Sequence, residues 1–225
     1  MSYVLNTKTF YEGCYLASIS CAVMSAKFPE LSFEHCWDGI NYSVQDGFGS
    51  RGTVTFKNNF CVCAVRSDDS ERLSYSFPYT YYFENCPDGI FQLAKQEALQ
   101  YLLDEQNEAI LPVVTACFWS NGENLESNDS WDDVFINGGD LLIPQLSAFE
   151  IGLEHWKNYY EMDMVELNLV IRLFKEKLSN PDQDIRLVDD EDVLSRYGLE
   201  GFNEAKQLLG SMRIYLDESN SSHND

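Results

Sequence analysis

The chain reads as an α+β protein: an antiparallel sheet of about five strands with packed helices, followed by a C-terminal helical section. Three observations predict this. Short runs of strand character crowd residues 40 to 66 and recur at 110–119 and 133–138. Apolar stripes of helical period occupy 9–27 and 86–106, and from about residue 147 helical periodicity alone remains. The 225 residues, 44% hydrophobic and 14% aromatic, suffice for a core that needs no covalent staples. The expected division is a sheet domain over 1–146, a helical section over 147–216 packed on it, and a disordered tail over 217–225.

The first helix is expected over 9–27, with Phe10, Cys14, Ser18 and Cys21 along one line and Tyr11, Tyr15, Ala22 and Ser25 along another. Its small residues suit a close approach to a sheet, and Pro29 ends it. Three strands should follow as a meander. "INYSVQD" alternates Ile40, Tyr42 and Val44 with polar residues, and "GTVTFK" sets Val54 and Phe56 against Thr53 and Thr55. "FCVCAVR" is nearly all apolar and reads as a central strand covered on both faces, with Cys61 and Cys63 on one side. "SFPYTYYF", interrupted by Pro78, reads as an edge strand or a packed loop. A long helix is expected over "CPDGIFQLAKQEALQYLLDEQ", capped by Asp88 and burying Phe91, Ala94, Ala98, Leu99, Leu102 and Leu103. "ILPVVTACFW" and "DVFING" read as strands, joined by the acidic loop "SNGENLESNDSWDD". Beyond residue 147, Phe149, Leu153, Trp156 and Tyr160 share one helical face. Met164, Leu167, Ile171, Phe174 and Leu178 form a 3-4-3-4 stripe on the next, and a last helix runs through Phe202, Leu208, Leu209 and Met212. The acids of "DDED" at 189–192 suit a helix start.

The stretch "DGFGSRGTVTF" spells G-x-G-x-x-G-x-V through Gly47, Gly49, Gly52 and Val54. A dinucleotide fingerprint requires a helix after the glycines, whereas Thr53 to Phe56 are strand formers. Over some twenty residues the segment resembles the glycine-rich loop of protein kinases, which lies between two strands. Arg66 then stands where a kinase carries lysine, and the chain has neither an H-R-D nor a D-F-G segment. The expectation is therefore a hairpin turn and not a nucleotide site.

Charge is the strongest global signal. The 37 Asp and Glu against 15 Lys and Arg leave a net of -22. Such a field repels nucleic-acid phosphates and anionic membranes, so direct contact with either is not expected, while a basic protein is attracted. Seven cysteines at 14, 21, 36, 61, 63, 86 and 117 show no paired framework and read as reduced thiols of a cytoplasmic protein. Residues 16–26 are apolar, but Lys8 is the only base before them, which does not suit a signal peptide, and no window is long enough for a membrane span.

Two aromatic segments rich in acids stand out. "PYTYYFEN" carries Tyr79, Tyr81, Tyr82 and Glu84, and "NDSWDDVF" carries Asp129, Trp131, Asp132 and Asp133. Aromatic anchors with an acidic rim suit a surface that seizes a basic partner. The expected function is thus an acidic binding protein, an inhibitor or immunity-type protein that neutralises a basic toxin or nuclease. One alternative is a hydrolase using carboxylates, or Cys36 with His35 or His155 as its base. Another is an assembly role through the stripe at 164–178. Asp129, Asp132 and Asp133 are the candidates for a divalent cation, though the ordered ligand loop for calcium is missing, as is any paired spacing for zinc. No cofactor is expected, and the sequence leaves the oligomeric state open.

Overall fold

The computed structural model describes residues 4–58, 60–75, 77–106, 108–187 and 191–216. In chain order the elements are α1 (Thr7–Met24), β1 (His35–Asp38), β2 (Asn41–Gln45), β3 (Arg51–Lys57), β4 (Phe60–Arg66), α2 (Arg72–Tyr75), α3 (Asp88–Gln96), β5 (Leu103–Gln106), β6 (Ala109–Pro112), β7 (Ala116–Asn121), α4 (Trp131–Ile136), α5 (Phe149–Tyr159), α6 (Met164–Ser179), β8 (Ile185–Leu187), α7 (Glu191–Ser195), α8 (Leu199–Ser211) and β9 (Ile214–Leu216). The α+β class holds. The main sheet has five antiparallel strands in the order β1-β2-β3-β4-β7.

The central strand β4 separates two cores, as its apolar run implies. Cys61, Cys63 and Val65 face one core with Phe118 of β7, Val54 of β3 and the buried side of α1. Val62 and Ala64 face the other with Trp119, Tyr82, Ile90, Leu93 and Leu99. The first core continues without a break into the C-terminal helices, because α1 packs on α5, α6 and α8 as well as on β1. The small residues of α1 make this possible. A Cβ on Gly13 would stand 2.1 Å from the backbone oxygen of Gln145, so the two backbones touch. Most of the α6 stripe is spent here: Leu167 and Phe174 are buried, Ile171 and Leu178 pack beside them, and Met164 at its start is exposed.

The glycine loop is the β2–β3 turn. Asp46 Oδ1 accepts from the backbone N–H groups of Phe48 and Ser50, at 2.8 and 3.0 Å, and Gly47 and Gly49 take φ values of 72° and 116°. These positive angles are the reason for the glycines.

Several expectations are corrected. The strand β1 was not foreseen, since four residues are too few to show alternation. Of the two readings of the aromatic run, the packed loop holds and the edge strand does not: 79–83 is a 3-10 turn with Tyr82 and Phe83 buried. The helix expected over 86–106 stops at Gln96, where Glu97 leaves helical geometry (φ -126°, ψ -90°), and Pro87 precedes it in place of an Asp88 side-chain cap. A 3-10 turn then lays Ala98, Leu99 and Leu102 on the sheet, while Leu103 opens β5 and is exposed. The run 110–119 divides into β6, paired with β5, and β7, paired with β4. Thr115 makes the break: its Oγ1 donates to the Asn137 carbonyl (2.6 Å) and accepts from the Ser67 N–H (3.0 Å). "DVFING" is mostly helix, α4, because Ser130 Oγ caps the Asp133 N–H and two acids occupy the first turn. The C-terminal section is not helical throughout, since β8 and β9 form a short parallel pair. The expected tail over 217–225 and the first acids of "DDED" lie outside the described residues; α7 begins at Glu191.

Candidate functional site

Folding brings the two aromatic, acidic segments onto one face beside β7. Four contacts tie these segments and their flanks together. Ser70 Oγ donates to Asn137 Oδ1 (2.6 Å), and Arg72 Nη1 pairs with Asp129 Oδ2 (2.6 Å). Asn128 Nδ2 donates to the Tyr81 carbonyl (3.2 Å), and its Oδ1 accepts from Asn85. The Arg72 guanidinium also lies 5.4 Å above the Tyr82 ring. The base of this face is thereby neutralised from within.

The expected contact residues separate into two groups. Tyr82 is buried in the second core, and burial, opposed by Arg72, pushes its phenol up to about 12. Trp131 packs on Phe118 and Phe135, and Asp129 is taken by Arg72. These three build the face and do not present it. Tyr79 and Tyr81 are half-buried, and Glu84, Asp132 and Asp133 are exposed. Asp133 also accepts from Ser130 Oγ. Two exposed aromatics were missed: Tyr75 is 66% and Phe77 44% exposed. Phe77 stacks on Tyr81 at 5.1 Å and meets Tyr75 at 6.1 Å, so three rings form an open row with Glu71 and Glu84 exposed on the same segment. The Phe77-Pro78 pair was the available signal, because the residue before proline is held extended and cannot turn inward with a helix.

Asp129, Asp132 and Asp133 do not converge. The first points to Arg72, and the others project from α4; among the described residues no group of three such ligands could hold a metal ion.

No family model, curated protein or solved structure matches this chain.

The histidine candidates do meet. His35 and His155 line one cavity of about 380 Å³ with Glu34, Asp46, Asp140 and Tyr159. Glu34 is buried and accepts from the hydroxyls of Tyr159 (2.6 Å) and Tyr160 (2.9 Å). His35 Nδ1 lies 2.7 Å from Tyr42 Oη, which also accepts from Gln145 Nε2 at 2.7 Å. Burial, assisted by His155, lowers the His35 pKa to about 3, so the ring is neutral at pH 7 and can receive the Tyr42 proton at Nδ1. Burial likewise lowers His155. Cys36 faces the other way, as alternation along β1 requires, with its Sγ on the Ser32 and Phe33 carbonyls. Burial raises its thiol pKa, which disfavours the nucleophilic thiolate. The geometry thus sets both histidines and Glu34 on the wall of one cavity, and leaves Cys36 outside.

Proposed function

We propose that this protein binds a basic protein partner through the face built by residues 69–85 and 126–136, as an inhibitor or immunity-type protein would neutralise a cationic toxin or nuclease. One observation carries this reading. The open row of Tyr75, Phe77 and Tyr81 lies on a segment with the exposed Glu71 and Glu84, and Arg72 of that segment is held by Asp129 of the second one, which also carries the exposed Asp132 and Asp133. Exposed aromatics supply anchor area, and the carboxylates steer a cation to it. The net charge of -22 supports the same reading and disfavours nucleic acid. Seven free cysteines support a reducing compartment such as the cytoplasm. No helix among the described residues is long and apolar enough to cross a membrane.

The test is capture of partners from the native host at low and high salt, with the wild-type chain and with Phe77→Ala/Tyr81→Ala. A basic protein held by the wild type should be lost at high salt, and the double variant should weaken it by about 2–4 kcal/mol. Equal capture by both chains, or capture indifferent to salt, overturns the reading. A hydrolase reading draws on the His35–His155–Glu34 cavity alone. Hydrolytic activity that disappears in His155→Ala would favour it.

A further inference from the structure

Lys177 lies near the C-terminal end of α6 with only 2% of its surface exposed. A lysine so deeply placed ordinarily has a carboxylate or carbonyl on its ammonium. Here no hydrogen bond or ion pair joins Nζ to another described residue, and the atom opens onto a cavity instead of being sealed in the core. It is instead part of the lining of a cavity of about 240 Å³, together with Tyr15, Trp37, Phe56, Asp182 and Arg213. Arg213 is engaged elsewhere, its guanidinium held by Asp184 at 2.8 Å. A guanidinium offers the ammonium no acceptor and repels it. Burial first, and Arg213 second, push the Lys177 amine below its ordinary range, against a smaller opposite pull from Asp182 and Asp184.

The rest of the wall is aromatic. Tyr15 and Trp37 stack at 4.5 Å and 23°, and Tyr11 sets its edge against Tyr15 (5.0 Å) and Phe56 (5.1 Å). Tyr11 and Phe56 also line a neighbouring cavity of about 620 Å³, so the aromatic wall continues past the smaller site. An unpaired ammonium set beside a flat apolar wall complements a ligand with one anionic group and one ring. Asp182 at the site and the net charge of -22 act against a second negative charge, which selects a monoanion over a phosphate.

We infer that this cavity binds a small aromatic monocarboxylate, with its carboxylate on Lys177 Nζ and its ring against Tyr15 and Trp37. The site is separate from the acidic face and does not depend on that reading.

Calorimetric titration of the full chain with 2-naphthoate tests the assignment, with 2-naphthalenemethanol as the uncharged counterpart and inorganic phosphate as the small anion. Saturable binding of the naphthoate is expected, with the alcohol weaker by about tenfold or more, as a charged hydrogen bond requires. Lys177→Gln should lose a similar factor, and Tyr15→Leu several-fold, in variants whose circular dichroism matches the wild type. If Lys177→Gln does not fold, the comparison of acid with alcohol and the Tyr15→Leu variant decide. Absence of saturable binding, equal affinity for acid and alcohol, tighter binding of phosphate, or unchanged affinity in a folded Lys177→Gln each overturns the inference.

Discussion

At the scale of single residues, the buried polar groups between β1 and α5 set the response to acid. His35 has a folded pKa near 3, against about 6.5 for a free imidazole. Between those values the unfolded chain binds a proton that the folded chain refuses. Stability therefore increases with pH across this window: the term is fully present above about 6.5 and is lost as pH falls toward 3. The slope for one such group approaches about 1.4 kcal/mol per pH unit. Urea midpoints measured from neutral to acid pH should fall less steeply in His35→Gln than in the wild type, whatever the common contribution of the carboxylates. Equal slopes would show that the ring is protonated without unfolding. Arg72 offers a second residue-scale test. Arg72→Ala leaves Asp129, whose side chain is 7% exposed, without its cation. A loss of about 2–3 kcal/mol in denaturant stability is expected.

At the scale of elements, caps and close approaches decide which segments form. Asp163 Oδ1 accepts from the N–H groups of Val165 and Glu166, and Glu166 Oε2 accepts from the Asp163 N–H, so α6 begins with a reciprocal cap that Arg196 also bridges. Asp163→Ala should lower stability by about 1–2 kcal/mol, read as a shifted urea midpoint. Gly13→Ala should lower it by about 3 kcal/mol, because the new methyl would overlap the Gln145 backbone. These elements also show what could be read beforehand. The α6 stripe, its early acids and the doubly covered β4 were legible because each carries a periodic or continuous signal over seven residues or more. β1, β8 and β9 were not, since three or four residues hold too little pattern, and the partner of β8 is reached only across α7 and α8. The break at Glu97 has no glycine or proline to announce it; packing of Leu99 and Leu102 on the sheet decides it. At the acidic face the segments were legible from composition, but which rings point outward was not. Tyr82 and Tyr81 are adjacent, and only the core explains why the first is buried and the second half-open. The Lys177 cavity was not legible at all, since its walls come from α1, β1, β3, α6 and the end of α8.

At the scale of the whole molecule, the net charge of -22 is a self-repulsion that folding concentrates. Screening should relieve it. The thermal midpoint at neutral pH is expected to rise by several degrees between about 20 mM and 500 mM sodium chloride, as the Debye length shrinks from roughly 20 Å to 4 Å. A flat or falling midpoint would show that the acids are already balanced locally. Salt should therefore act in opposite directions on stability and on capture of a cationic partner.

The burial of α1 between the sheet and helices contributed after residue 148 has a consequence for biosynthesis. Helix α1 is synthesised well before it is covered, because α5, α6 and α8, which pack on it, are translated more than a hundred residues later. Until then Leu16, which α5 approaches through Gly152, and its apolar neighbours face water on the nascent chain. A ribosome stalled near residue 146 would display a sticky helix to chaperones, and release there should give a product that aggregates instead of a working half.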